Sequence, residues 1–243
     1  MNKLCILAFA LFSVCFTSCQ FSENIYLNED GSGKMAFVFN GDQLMEMAGD
    51  KFSEDSKKKM DTTIVFKDFL EQNKDSISKL SDEEQQKLKT LENFSIRTLM
   101  DSEAKKMEFD MTTDFKSISE LQDMFSTMNK MQSLTNATGT SPSITTNKTT
   151  QLHYMFDGHK FSRKATIIDE ALLKKQTDSL ESAKDMFASS KYTLNYHFPS
   201  AIKSVSNNNA VLSDDRKNLI LEYNLIDYLK NPKGLDLDVI LED

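Results

Sequence analysis

Tryptophan is absent from the 243 residues, and cysteine occurs only at positions 5, 15 and 19. No thiol follows Cys19. A disulfide framework, thiol catalysis and cysteine-ligated zinc are therefore excluded for the body of the chain. Without tryptophan the usual stacking platform for sugars is missing, which weighs against carbohydrate binding. Positive charge is in deficit, with 29 Lys and Arg against 37 Asp and Glu. An acidic chain repels phosphate backbones and anionic headgroups, so nucleic acid is not an expected partner. No segment after position 16 is continuously apolar over the roughly 20 residues that a membrane-spanning helix needs.

What is present is concentrated at the start. Met1-Asn2-Lys3 is a short basic opening, Leu4 to Phe16 is an apolar or small-residue run, and Thr17-Ser18-Cys19 follows before the sequence turns polar. That order is the order of a bacterial secretory signal. Ser18 before Cys19 matches a lipobox, whereas Val14 before Cys15 is too bulky and Cys5 has no apolar run ahead of it. Phe16 departs from the usual lipobox leucine. It also argues against ordinary signal cleavage, which needs small residues at both flanking positions. The expectation is a cleaved signal over 1–18, a lipidated Cys19 with a short tether over 19–22, and a folded domain over 23–243. Removal of residues 1–18 leaves 225, with a net charge of −9. That length is enough to bury a real core. Membrane attachment falls to the acyl chains at Cys19, since one chain anchors marginally and two or three anchor firmly.

The rest reads as α+β: mostly antiparallel sheets built from hairpins, with several amphipathic helices, in a single domain. Asn24–Asn28 and Lys34–Phe39 flank Asp30-Gly31-Ser32-Gly33, a strong hairpin signal. A brief helix is expected over 41–50, and a strand or helix start over 61–66. Ser81-Asp82-Glu83-Glu84 opens a helix to about Leu91 through a capping box. Residues 94–100 and 106–111 form a second hairpin. Ser117-Ile118-Ser119-Glu120 opens an amphipathic helix carrying Ile118, Leu121, Phe125, Met128 and Met131 to about Leu134. Residues 135–149 form a polar loop. Strands over 151–156 and 160–167 flank Asp157-Gly158, a helix runs from Asp169 to about Phe187, and strands dominate the last fifty residues.

Chemistry-bearing patterns are few. Asn28, Asp30, Ser32 and Gly33 imitate the first half of a calcium loop, but Phe39 stands where a bidentate glutamate is required. The hairpin reading wins. His153 and His159 bracket a turn and offer at most a weak metal pair with Asp157. His197 has no nucleophile elbow to serve. Asp236 and Asp238 read as a solvated sheet face. Met124, Met128 and Met131 share a helical stripe with Leu121 and Phe125, which favours core packing over copper ligation. No catalytic, cofactor or metal residue is assigned, no cofactor is expected, and the chain is expected not to be an enzyme.

Glu23 to Phe39 resembles the opening of mycobacterial LppM-like lipoproteins, in which a strand, Asp-Gly-Ser-Gly and a second strand follow the lipidated cysteine closely. Tyr196-His197-Phe198-Pro199 through Val205-Ser206-Asn207 and Leu219 to Tyr223 resembles that family's ending, with Ser200 in place of its glycine. The whole is also similar to small lipoproteins of Flavobacteria and related Bacteroidetes. Asp61-Thr62-Thr63, Asp75-Ser76-Ile77 and Asp178-Ser179-Leu180 resemble the O-glycosylation sequon of that phylum. The resemblance implies a β-rich envelope domain able to bind lipid, and its motifs are turn chemistry rather than active-site chemistry. The expected role is a membrane-anchored binding module for lipid or another apolar ligand, with a scaffold for a protein partner as the alternative and a hydrolase with an unrecognised site as the remote one. Gln20 in place of aspartate after Cys19 implies the periplasmic face of the outer membrane.

Overall fold

The computed structural model describes residues 20–48, 59–89, 91–121, 149–180 and 184–242. Two sheets form the body. The larger has eight strands. β1 (Gln20–Leu27) and β2 (Gly33–Asn40) pair as the expected hairpin, with Phe21 opposite Phe39 and Leu27 opposite Gly33. After helix α1 (Asp42–Ala48) come β3 (Met60–Val65), α2 (Phe66–Gln72), α3 (Lys74–Ile77) and α4 (Asp82–Lys89). The segment with two sequence readings is thus both, a strand and then a helix. β4 (Phe94–Asp101) and β5 (Lys106–Phe115) are the second hairpin.

The smaller sheet begins with β6 (Thr150–Phe156) and β7 (Lys160–Ile167). Next are α5 (Glu170–Leu180), α6 (Lys184–Phe187), β8 (Lys191–His197), β9 (Ile202–Val205), β10 (Val211–Leu212) and β11 (Asn218–Asn224). The chain ends with α7 (Leu225–Lys230), a 3₁₀ turn (Pro232–Leu235) and β12 (Leu237–Leu241). Strand order is β10-β11-β8-β1-β2-β5-β4-β3 in the large sheet and β6-β7-β12-β9 in the small one.

One pairing departs from the antiparallel expectation. β1 and β8 run parallel, with Gln20 beside Lys191 and Tyr26 beside His197. The large sheet is therefore mixed. No local turn could signal this contact, because parallel neighbours need a long crossover.

The hairpin turns have clear causes. Asp30 Oδ1 accepts from the Ser32 amide at 2.9 Å and its hydroxyl at 2.6 Å, while Gly31 takes φ +81°. Those bonds satisfy Asp30 within the turn, in keeping with the hairpin reading over the calcium loop. At the other turn, Asp157 Oδ1 accepts from the amides of His159 and Lys160, and Gly158 takes φ +95°.

The core lies between the sheets. Phe21, Ile25 and Leu27 of β1 alternate with exposed or half-buried neighbours and face inward. Met35 and Phe37, Tyr192, Leu194 and Tyr196, and Leu219 and Leu221 do the same on β2, β8 and β11. Phe161, Leu237, Val239 and Ile202 meet them from the small sheet. This is face-to-face sheet packing with period-two alternation.

Three expectations need adjustment. Gln20, Phe21 and Ser22 are rungs of β1 rather than a tether. The helix expected from Ser117 is described only as a 3₁₀ turn over Ile118–Glu120, with Leu121 extended. Its continuation, with Met124, Met128 and Met131, and the polar loop up to 148 lie outside the described residues, as do residues 1–19. The helix expected over 169–187 is described as α5 and α6, and α5 buries none of its residues fully. α7 was not expected. Asn224 caps it, accepting from the amides of Ile226 and Asp227, and a six-residue helix is too short to show its period.

Candidate functional site

Cys19, the lipidation candidate, precedes the first described residue by one. A trans peptide places consecutive Cα atoms 3.8 Å apart. The candidate anchor is therefore bonded directly to the first rung of a strand in the middle of the large sheet. Registers identify the groups at this end: Asn40 of β2, Lys191 of β8, Glu108 of β5 and, further out, Asp101 of β4 and Met60 of β3.

Three lysines at this end are matched by carboxylates. Lys106 Nζ lies 2.8 Å from Asp42, Lys59 lies 3.6 Å from Asp101, and Lys191 lies 2.6 Å from Glu222. Burial raises the Asp42 carboxyl, but donation from Lys106 and from the Met107 amide outweighs it and leaves the group below its ordinary value. The same contact raises Lys106.

Three rungs further along β1 is the feature that the sequence reading missed. Glu23 points into the core with 1% exposure. Its carboxylate accepts from the phenols of Tyr154 and Tyr192, each at 2.8 Å, and from that of Tyr196. Arg163, wholly buried, faces it at 3.4 Å and donates to the Leu235 carbonyl at 3.1 Å. The Tyr228 ring lies 6.0 Å from the guanidinium carbon and stacks on Tyr192 at 4.5 Å. Burial by itself would raise the Glu23 carboxyl. The Arg163 charge and three phenol donors overcome that and hold it below the ordinary carboxylate range. Burial, followed by the Glu23 charge, pushes all three phenols well above theirs. At neutral pH the carboxylate is ionised, the phenols are neutral and the guanidinium is charged. With no proton poised for transfer near neutrality, the arrangement is a cross-link between sheets rather than an acid–base pair.

The signal for this cluster was in the sequence. Glu23 interrupts the apolar file of Phe21, Ile25 and Leu27, and Arg163 interrupts that of Phe161 and Ala165. Two opposite charges, each on the apolar face of a strand, must find each other or destabilise the fold.

The other candidates separate. His153 is exposed on the outer face of β6 and His159 sits in the turn, so the strands do not bring them together as a pair. His197 stacks flat on Tyr26, with ring centroids 4.2 Å apart. Among the described residues no three His, Cys, Asp or Glu gather as metal ligands. Asp238 is tied to Lys164 at 2.8 Å and Ser162 at 2.6 Å, and Asp236 accepts from the Ala165 amide. These two carboxylates are thus engaged separately. A different carboxylate neighbourhood forms on the outer face, where Arg97 holds Asp61 in a two-pronged contact and lies 3.7 Å from Asp110. Burial, then the neighbouring Glu108, raises the Asp110 carboxyl.

No protein-family model matches the chain, and no curated protein matches it. Among solved structures it bears a remote likeness to the folded domain of LppM from Mycobacterium tuberculosis. The TM-score is 0.41 and the identity 9%, over 95% of each chain. At that level neither ligand nor activity passes from one protein to the other. Among the described residues no helix is long and apolar enough to cross a membrane.

Proposed function

We propose that this chain is a lipoprotein of a bacterial envelope, acylated at Cys19, whose β-rich body is a non-enzymatic binding module held directly at the membrane. The observation that carries the reading is the junction at Cys19. A basic residue, an apolar run and Ser18-Cys19 lead, without a spacer, into a strand that begins at Gln20. A domain so closely coupled to its anchor is suited to engaging something at or in the membrane. The ligand class is lipid or another apolar envelope molecule, and the address is the periplasmic face of the outer membrane.

The space between the sheets around Glu23 and Arg163 is taken up by Phe37, Phe161, Tyr192 and Tyr196. An apolar ligand is better accommodated along the outer strands, where β4 is half-buried and β3 is exposed at every position.

Intact mass spectrometry of the membrane form is the direct test of the anchor. The expected mass begins at Cys19 and includes acyl chains, and an unmodified amino terminus would rule the reading out. Native mass spectrometry of the Cys19→Ser soluble form tests the cargo. A lipid-sized adduct is the expected result, and a bare mass would overturn the carrier reading.

A scaffold for a protein partner is the second reading. It is favoured by one observation: among the described strands β3 is at the edge of its sheet, and Met60, Ile64, Val65 and Phe69 on it and the adjoining α2 are exposed. Exposed apolar edges are sites of strand addition by other chains.

A further inference from the structure

We infer that one end of the large sheet is a membrane-contact surface. It is the end that carries Gln20, the Ser102–Lys105 turn and the row Met60, Met100, Met107, and it lies against the lipid headgroups. The inference rests on acylation at Cys19. The acyl chains enter the bilayer at Cys19, and one trans peptide separates that residue from the sheet. A strand paired on both sides cannot peel away to act as a leash. Gln20 is paired with Asn40 on one side and Lys191 on the other. The membrane plane is thus brought to the first rung of β1, and the opposite end is held away from it. β1 has eight residues, so the hairpin tip at Glu29 stands about 25 Å further out at the usual strand rise.

The chemistry of that end fits a lipid interface. Met60 pairs with Met100, and Met100 with Met107, so three methionines form one row across β3, β4 and β5. Strand spacing of about 4.8 Å puts Met107 about 10 Å from β1 and Met60 about 20 Å from it. Met60 is 40% exposed, and Met100 and Met107 are half-buried. Phe109 continues the same inward-facing file two residues further along β5, where Met107 and Phe109 also pack against the edge of the core. Unbranched thioether side chains adapt to an irregular apolar boundary. Beside this row, Glu103, Ala104 and Lys105 are exposed at the tip of the β4–β5 turn.

Charge attraction is not what holds the surface down. Lys59, Lys106 and Lys191 face Asp101, Asp42 and Glu222, and the exposed Lys105 shares its turn with the exposed Glu103, so the positive charge of this end is largely offset locally. Contact by this surface is accordingly insensitive to salt, unlike that of a polybasic patch.

The test uses the acylated mature protein in vesicles of phosphatidylethanolamine and phosphatidylglycerol. Its single thiol, Cys19, is blocked by acylation. Ala104→Cys and Glu29→Cys therefore each provide one labelling site, and both positions are exposed. Each is labelled with a small fluorophore and titrated with headgroup spin-labelled lipid. The label at 104 is expected to be quenched several-fold more than that at 29, with little change between low and high salt. Equal quenching, or stronger quenching at 29, on protein that floats with the vesicles would overturn the orientation and leave the anchor intact. Failure to float, together with an unacylated mass, would instead remove the anchor on which the orientation rests.

Discussion

Glu23 and Arg163 stand 140 positions apart in the chain and meet at 3.4 Å, with side-chain exposures of 1% and 0%. The pair joins the large sheet to the small one at the middle of the core. Burying two charges costs several kcal/mol each, and the cost is recovered only when the remaining hydrogen-bonding capacity is filled. Here the phenols of Tyr154, Tyr192 and Tyr196 fill it on the carboxylate side and the Leu235 carbonyl on the guanidinium side.

Removing one partner leaves the other charge buried alone. Glu23→Gln and Arg163→Met are each expected to lower stability by about 3–5 kcal/mol in urea unfolding. The double variant should lose less than the sum of the two, with a coupling of about 1–3 kcal/mol. Strict additivity would show that the two side chains do not interact.

Asp238 gives the fold an acid-limb dependence. Lys164 and Ser162 donate to its carboxylate, and Lys160 adds to them, bringing it from 3.8 to about 2. The folded value is depressed, so the stabilisation is fully present above the unfolded value near 4 and is lost as pH falls through about 2. The gap in melting temperature between the wild type and Asp238→Asn should be constant above about pH 4 and close towards pH 2. A gap that persists unchanged at pH 2 would assign the effect to packing. The depressed Glu23 carboxyl loses its contribution in the same direction.

Two glycines should respond differently to alanine. A Cβ at Gly33 would lie 2.1 Å from the Tyr26 carbonyl oxygen and 2.6 Å from the Phe115 ring. One obstacle is strand backbone, so Gly33→Ala is expected to cost about 3 kcal/mol. Gly158 has no atom within 4 Å of such a Cβ, and only its φ of +95° opposes substitution. Gly158→Ala is expected to cost about 1–2 kcal/mol. Chemical denaturation of the two variants checks the order, and the reverse order would refute the close approach at Gly33.

The exposed edge separates the partner reading from a packing role. Ile64 is 43% exposed on β3. Ile64→Lys is expected to change stability by no more than about 0.5 kcal/mol. If a protein docks there by strand addition, the same variant should lose its in-cell crosslink while remaining folded. A crosslink that survives Ile64→Lys would place the partner elsewhere.

Local pattern was enough for the hairpins. Asp30-Gly31-Ser32-Gly33 and Asp157-Gly158 specify their turns through side-chain acceptors and positive φ. Helix α7 escaped because six residues contain too little period. The Glu23–Arg163 site was half legible. Each charge was visible as an intruder in an apolar file, but nothing local named its partner.

The sequence by itself carries the lipobox-like pattern at Cys19 and determined the α+β composition and the hairpin turns, because these depend on neighbours within a few residues. Only the tertiary structure decided that β8 lies parallel to β1, that Met60, Met100 and Met107 share a row, and that Glu23 is closed by groups from three distant strands. Those contacts span up to 173 positions. The loss of chain entropy that they require is offset only by burial of the whole core at once.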